Sequence, residues 1–165
     1  EGHNRVRLTG AHGSAPTPQL KVVAGFKDGF KADISWGFSW PDAWDKVQAA
    51  ERIVREQLRE RKIPFDEVFV EYPGLNSAHG ALAPLPPAAE LNERHEIWVR
   101  MVLRTPSKAA ADGFGRLFPW MALSGPAYTC GFQGLNNTSE LLGIWPTLID
   151  RHRVQARVEL LEVQA

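Results

Sequence analysis

The sequence predicts an α+β fold: a mainly antiparallel sheet with two principal helices on one face. Three observations carry this. Runs of alternating apolar and polar residues recur along the chain. Two of the segments between them begin with a helix-start signal and continue with apolar residues at helical spacing. Strand, helix and strand therefore occur twice, which points to two related α/β units; a ferredoxin-like arrangement is one concrete version.

The elements follow in order. Val6 to Thr9 reads as a short strand, and Ala11 to Pro18, with Gly13, Ser14, Pro16 and Pro18, as a loop. Leu20 to Phe26 is strand-like. Lys27-Asp28-Gly29 is a hairpin signal, because Asp-Gly tolerates the positive φ of a tight turn, with Phe30 to Trp36 returning. Asp28 is then simply the turn residue. Ser39-Trp40-Pro41-Asp42 starts a helix over Trp40–Lys62, with Ser39 as cap and Asp42 near the positive end of the dipole. Trp44, Val47, Ala50, Ile53 or Val54, and Leu58 share its apolar face. Asp45, Lys46, Arg52, Arg55, Glu56 and Arg59 form the opposite, solvated one, and Pro64 ends it.

Asp66 to Tyr72 is a strand. Pro73 to Glu93 is a Pro/Ala-rich connection, unusually long for a compact domain. Glu96 to Arg104 alternates most clearly, with Ile97, Val99, Met101 and Leu103 on one face and Trp98, Arg100, Val102 and Arg104 on the other. Thr105-Pro106-Ser107 opens a second helix, Pro106–Phe118, whose apolar face is Ala110, Phe114, Leu117, Phe118 and Met121. Leu141 to Ile149, interrupted by Gly143 and Pro146, reads as a broken or edge strand. Val154 to Val163 alternates again.

Composition narrows the function. The 165 residues, 44% apolar and 23% charged, suit one domain, or two small subdomains sharing a core. Such a chain buries about 70% of its unfolded surface and needs no staples. Its 19 basic and 19 acidic residues cancel, which argues against nucleic acid as a partner. One cysteine excludes a disulfide framework and a multi-cysteine metal site. His3, His12, His95 and His152 form no metal-ligand spacing with an acid. No metal and no resident cofactor are expected. No apolar run reaches the roughly 20 residues that span a bilayer, so no membrane role is expected, and a reducing cytoplasm is the default setting. Arg151-His152-Arg153 is basic enough to meet a phosphate, but a solvated turn is the simpler reading. The chain opens Glu1-Gly2-His3-Asn4, without methionine or an apolar leader. That predicts a portion of a longer polypeptide, associating with its missing N-terminal part or with a second copy.

Ser124 to Gly134 holds the glycines Gly125, Gly131 and Gly134 and the lone Cys130. Glycines let backbone amides approach a carboxylate or phosphate closely; a plain chain reversal needs them as well. His79, after the small polar pair Asn76-Ser77 and before Gly80, is placed to act as acid or base, or to hydrogen-bond its own turn. Cys130 is a nucleophile if a cation lowers its pKa; a buried small hydrophobe is the commoner case. Trp36, Trp40 and Trp44 flank the first helix start at four-residue intervals and fit a core cluster or an interface.

Several stretches, in order, resemble the acyclic terpene utilisation (AtuA-like) family, in its C-terminal portion. They are Leu20-Lys21-Val22 with Gly25-Phe26-Lys27-Asp28-Gly29-Phe30; Ala49 to Leu58; Asn76-Ser77-Ala78-His79-Gly80; Gly125-Pro126-Ala127; and Leu148 to Arg151 with Val154 and Arg157-Val158-Glu159. The similarity runs from about Val6 to Val163. The chain departs from the family pattern where Tyr128, Thr129 and Cys130 intervene before Gly131. The resemblance implies bacterial catabolism of branched or terpenoid acids, with CoA thioesters as metabolites.

Two functional readings stand. In one, the chain is part of an enzyme. The Asn76–Gly80 and Gly125–Gly134 loops converge beside the sheet and accept an acyl-CoA or carboxylate through Asn76, Ser77, Gly80, Gly125, Ala127, Cys130 and Gly131, with His79 as acid or base. In the other, the chain is a non-catalytic assembly module that buries a tryptophan-rich surface on a partner.

Overall fold

The computed structural model describes residues 2–161. The element order is β1 (Gln19–Ser39), α1 (Ala43–Glu60), β2 (Glu67–Glu71), α2 (Ala88–Asn92), β3 (Glu96–Thr105), α3 (Lys108–Gly115), α4 (Met121–Ser124), β4 (Thr129–Gln133) and β5 (Thr138–Asp150). Short 3-10 turns lie at Gly80–Leu82 and Arg151–Arg153. The chain divides into two units, Lys27–Gly143 and a second made from the segments up to Phe26 and from Ile144.

The larger unit holds a sheet in the order β2-β3-β1-β4, with antiparallel neighbours throughout. The paths β1-α1-β2 and β3-α3-β4 are the two strand-helix-strand halves of a ferredoxin-like arrangement. The α+β class and the mainly antiparallel sheet are as the sequence predicts. Alternation sorts the residues by face. Ile34, Trp36 and Phe38 from β1 and Val99, Met101 and Leu103 from β3 are fully buried. Against them pack Val47, Ala50, Val54 and Leu58 of α1, Phe114 of α3, and Leu117 and Phe118 of the following turn. Trp36 and Phe118 meet edge to face, with ring centres 4.8 Å apart.

Tyr72 docks α1 against the end of β2. Its ring meets Trp44 edge on, its hydroxyl donates to Glu51 (2.8 Å), and Gln48 donates to that hydroxyl (2.6 Å). Burial first, then the Glu51 carboxylate, pushes the Tyr72 pKa up, so the phenol stays protonated.

Several expectations are corrected. Asp28-Gly29 does not reverse the chain: β1 runs through it as one strand. Gly29 alone has positive φ (+84°), and a Cβ there would lie 2.6 Å from the Thr105 carbonyl, so the glycine lets β1 pass the end of β3. Asp28 accepts a hydrogen bond from Arg104 Nη2 at 2.9 Å. A continuing strand prevails because β1 finds a pairing partner in β5. The first helix starts at Ala43, and Ser39 does not cap it; its hydroxyl bonds the Tyr128 carbonyl instead. The second helix ends at Gly115, where a Cβ would lie 2.1 Å from the Leu135 carbonyl. Its cap is Ser107, which accepts from the Ala110 amide. Val6 to Thr9 is not a strand, and neither is 154–161; both run as exposed, irregular chain. Val163, the far end of the expected last strand, lies outside the described residues. Thr129–Gln133, expected as part of a loop, is β4.

Gly134 is as tight a joint as Gly115, and its backbone is left-handed as well. Its φ is +82°, and a Cβ would fall 2.1 Å from the Asp33 carbonyl, where no side chain can yield. Gly134→Ala is expected to cost at least about 2 kcal/mol, lowering Tm by about 4–8 °C. Gly13→Ala, with nothing within 4 Å of the added atom, is expected to leave Tm unchanged. Thermal melts of both variants check this, and equal melting of the two would contradict it.

Candidate functional site on the open sheet face

The helices cover one face of the sheet, and the other carries the charged alternation partners. Register places Glu67, Arg104 and Lys31 in one row, Phe69, Val102 and Asp33 in the next, and Glu71, Arg100 and Ser35 in a third. A groove of about 360 Å³ lies there, lined by Lys31, Glu67, Phe69, Arg100, Val102, Arg104 and Leu141. Its floor is apolar (Phe69, Val102, Leu141) and its edges are charged.

Arg100 is the centre of an ion-pair network over three strands. Its Nε donates to Asp33 Oδ1 at 2.7 Å, its Nη2 to the other oxygen of Asp33, and its Nη1 to Glu71 at 2.7 Å. Two-point contact of a guanidinium with a carboxylate is the strong form of this interaction. Hydrogen bonding to Arg100 holds the Asp33 carboxyl below the usual range; partial burial opposes this, and Lys31 adds to it. The same bonds raise the Arg100 pKa further. Two cations are less committed. Lys31 Nζ lies 3.6 Å from an Asp33 already held by Arg100. Arg104 gives Nη2 to Asp28, while its Nε is enclosed and has no acceptor. Lys31 and Arg104 are direct cross-strand partners, and like charges so placed repel.

The residues singled out in the sequence lie elsewhere. Asn76, Ser77 and Gly80 do come together, lining a recess of about 280 Å³ with Phe69, Val70, Glu71 and Ala81. Their polar groups are mostly spent on the turn itself. Asn76 Oδ1 accepts from the Tyr72 amide at 2.8 Å, and the Gly80 amide donates to the Asn76 carbonyl at 2.6 Å. His79 is exposed and does not line the recess.

Gly125, Ala127, Cys130 and Gly131 belong to the approach to β4 and to β4 itself. β2 and β4 are the outer strands of the four, so the two loops share an end of the sheet at opposite edges. Three strand spacings, about 14 Å, separate those edges. The Gly125 amide donates to the Met121 carbonyl at 3.0 Å, and the Gly131 amide to Thr129 Oγ1 at 3.3 Å. A Cβ at Gly125 would lie 2.6 Å from the Met121 carbonyl, a packing reason for this glycine.

Cys130 is exposed, not buried as the commoner case had it. Partial desolvation and the Glu96 carboxylate raise its pKa, with Lys46 opposing, which makes it a poorer nucleophile at neutral pH. Trp36 is in the core, Trp44 half-buried and Trp40 exposed, its indole N–H donating to Glu93 at 3.4 Å. Among the described residues no three His, Cys, Asp or Glu side chains come together as a metal site would need. No helix among them is long and apolar enough to cross a membrane.

The family model for the acyclic terpene utilisation family protein AtuA matches residues 1–160. The chain belongs to the AtuA family. Membership gives it a role in acyclic terpene utilisation. No curated protein matches the chain. Within this AtuA-family chain, sequence reading missed the open-face groove. Its one sequence signal is the pair Arg100 and Arg104 on the polar side of the strongest strand; their partners come from β1 and β2.

The Asp33–Arg100 pair yields a pH prediction. Asp33 has a lower pKa folded than unfolded, so its contribution is complete above the unfolded value, about 4, and is lost as pH falls through the folded one. Asp33→Asn is expected to cost about 1.5–3 kcal/mol at pH 7, and the gap from the parent should shrink at pH 3. Urea denaturation at both pH values measures it. An equal gap at pH 7 and pH 3 would contradict the assignment.

Proposed function

We propose that this chain serves acyclic terpene utilisation by binding the carboxylate form of an acyclic terpenoid metabolite in the open-face groove. The observation that carries the reading is the pairing of two under-committed cations, Lys31 and Arg104, with an apolar floor of Phe69, Val102 and Leu141. A carboxylate between the two cations relieves their mutual repulsion. A branched hydrocarbon chain lying on the floor gains burial at about 25 cal/mol per Å². The free acid suits the groove better than its CoA thioester, which has no carboxylate at the acyl end. Glu67, directly opposite Arg104, competes for that cation and limits affinity. The role is binding; no catalytic step is assigned to His79 or Cys130. A reducing cytoplasmic setting would keep the exposed Cys130 a free thiol.

Calorimetric titration with a ten-carbon acyclic terpenoid acid, the corresponding alcohol and the CoA thioester tests the reading. The acid is expected to bind at least about tenfold more tightly than the alcohol and to weaken as salt is raised. Lys31→Gln should remove most of that preference. Equal binding of acid and alcohol, or tighter binding of the thioester than of the acid, would overturn it, as would no heat with any of the three.

A further inference from the structure

The smaller unit contains a two-stranded ribbon, formed by Gln19–Phe26 of β1 and Ile144–Asp150 of β5. Its end is fixed by Arg151, whose amide donates to the Pro18 carbonyl at 2.9 Å and whose Nε donates to the Thr17 carbonyl at 2.7 Å. Large apolar side chains stand in solvent on both strands: Val22, Val23 and Phe26 on one, Ile144, Trp145 and Leu148 on the other, with Trp145 66% exposed. A lone two-stranded ribbon is marginal in water; three or more strands are normally required.

The two outer edges of this ribbon are not alike. β5 carries Pro146, which has no N–H, so its free edge is blunted in the way proteins use to block pairing. β1 has no such device. Over Leu20-Lys21-Val22-Val23-Ala24-Gly25-Phe26 it has one charge and no proline. β5 takes one edge of this segment, and the other meets no strand among the described residues. Unpaired edge groups on an apolar, weakly charged strand are a template for another strand.

We propose that this free edge of β1 pairs antiparallel with the same edge of a second copy of the chain, joining two ribbons into one four-stranded sheet. The segment is self-complementary. A twofold axis at Val23 sets Leu20 opposite Phe26, Val22 opposite Ala24, and Lys21 opposite Gly25. The two lysines avoid each other, and each faces a residue without a side chain. Symmetric pairing of one patch with itself is the commonest way soluble chains associate. Exposed Val22 and Phe26 on one face of the segment and Val23 on the other then gain apolar neighbours across the new seam.

Sedimentation equilibrium of the full chain tests this, with Val23→Lys as the disrupting variant. The parent is expected to be a dimer. The variant places two like charges opposite each other at the axis, and its dimer should be at least about tenfold weaker. Val23 is 57% exposed, so lysine is accommodated within one chain, and an unchanged melt would show that folding is intact. A second measurement does not depend on that variant. In a Cys130→Ser background, Val23→Cys should crosslink to a dimer under mild oxidation, while Thr147→Cys, beside Pro146, should not. A parent that sediments as a monomer, a Val23→Lys dimer as tight as the parent's, or equal crosslinking at positions 23 and 147 would each overturn the proposal.

Discussion

Everything in the larger unit depends on the register between β1 and β3. Ten pairs run from Phe30 opposite Thr105 to Ser39 opposite Glu96. This alignment sends Ile34, Trp36, Phe38, Val99, Met101 and Leu103 to the helices and leaves Asp33, Arg100 and Val102 on the open face. A slip of one residue would exchange the two sets, burying Arg100 and exposing Met101. The charge network opposes such a slip from the other side. Arg100 reaches Asp33 on one neighbouring strand and Glu71 on the other, and this geometry closes only in the observed alignment. Hydrophobic burial and ion pairing thus select the same register, which is the kind of agreement between levels that marks a single well-defined fold.

How legible an element was depended on whether its partner lay close in sequence or its pattern was long. Glu96 to Arg104 was legible because nine residues alternate without a break, and α1 because its apolar stripe repeats over several turns. The Asp28-Gly29 pair misled because local turn chemistry is identical for a reversal and for a strand that must pass a neighbour closely. Only the position of the Thr105 carbonyl separates the two cases. β4 was hidden because Gly131 lies inside it and opposite Gly37, a pairing of two glycines that no strand pattern signals. The alternation at 6–9 and 154–161 has the right period, but period alone does not make a strand.

The candidate groove was illegible for a related reason. Lys31, Glu67 and Arg104 meet in one row, yet they come from three strands, and each alone reads as an ordinary surface charge. The glycine-bearing loops attracted attention because glycine is common to two jobs. At Gly125 the job is close packing on the Met121 carbonyl, and the amides of Gly80, Gly125 and Gly131 all donate within the chain. An anion cradle needs free amides, so composition pointed to a capacity that these hydrogen bonds have already used.

The zero net charge of the chain is similarly a sum that conceals its arrangement. On the open face, acids and bases are not dispersed but interlocked. Arg100 gives all three of its nitrogens to two carboxylates, and Asp28 takes only part of Arg104. Lys31 sits beside a carboxylate that is already engaged. An ion pair that is complete contributes to register and offers little to a ligand. An ion pair that is incomplete offers a recognition point, at the expense of some stability in the empty protein. The two functions are divided along β3 over a single turn of alternation, Arg100 serving the first and Arg104 the second. That separation lets one strand carry both the lock on the sheet and the polar edge of the groove.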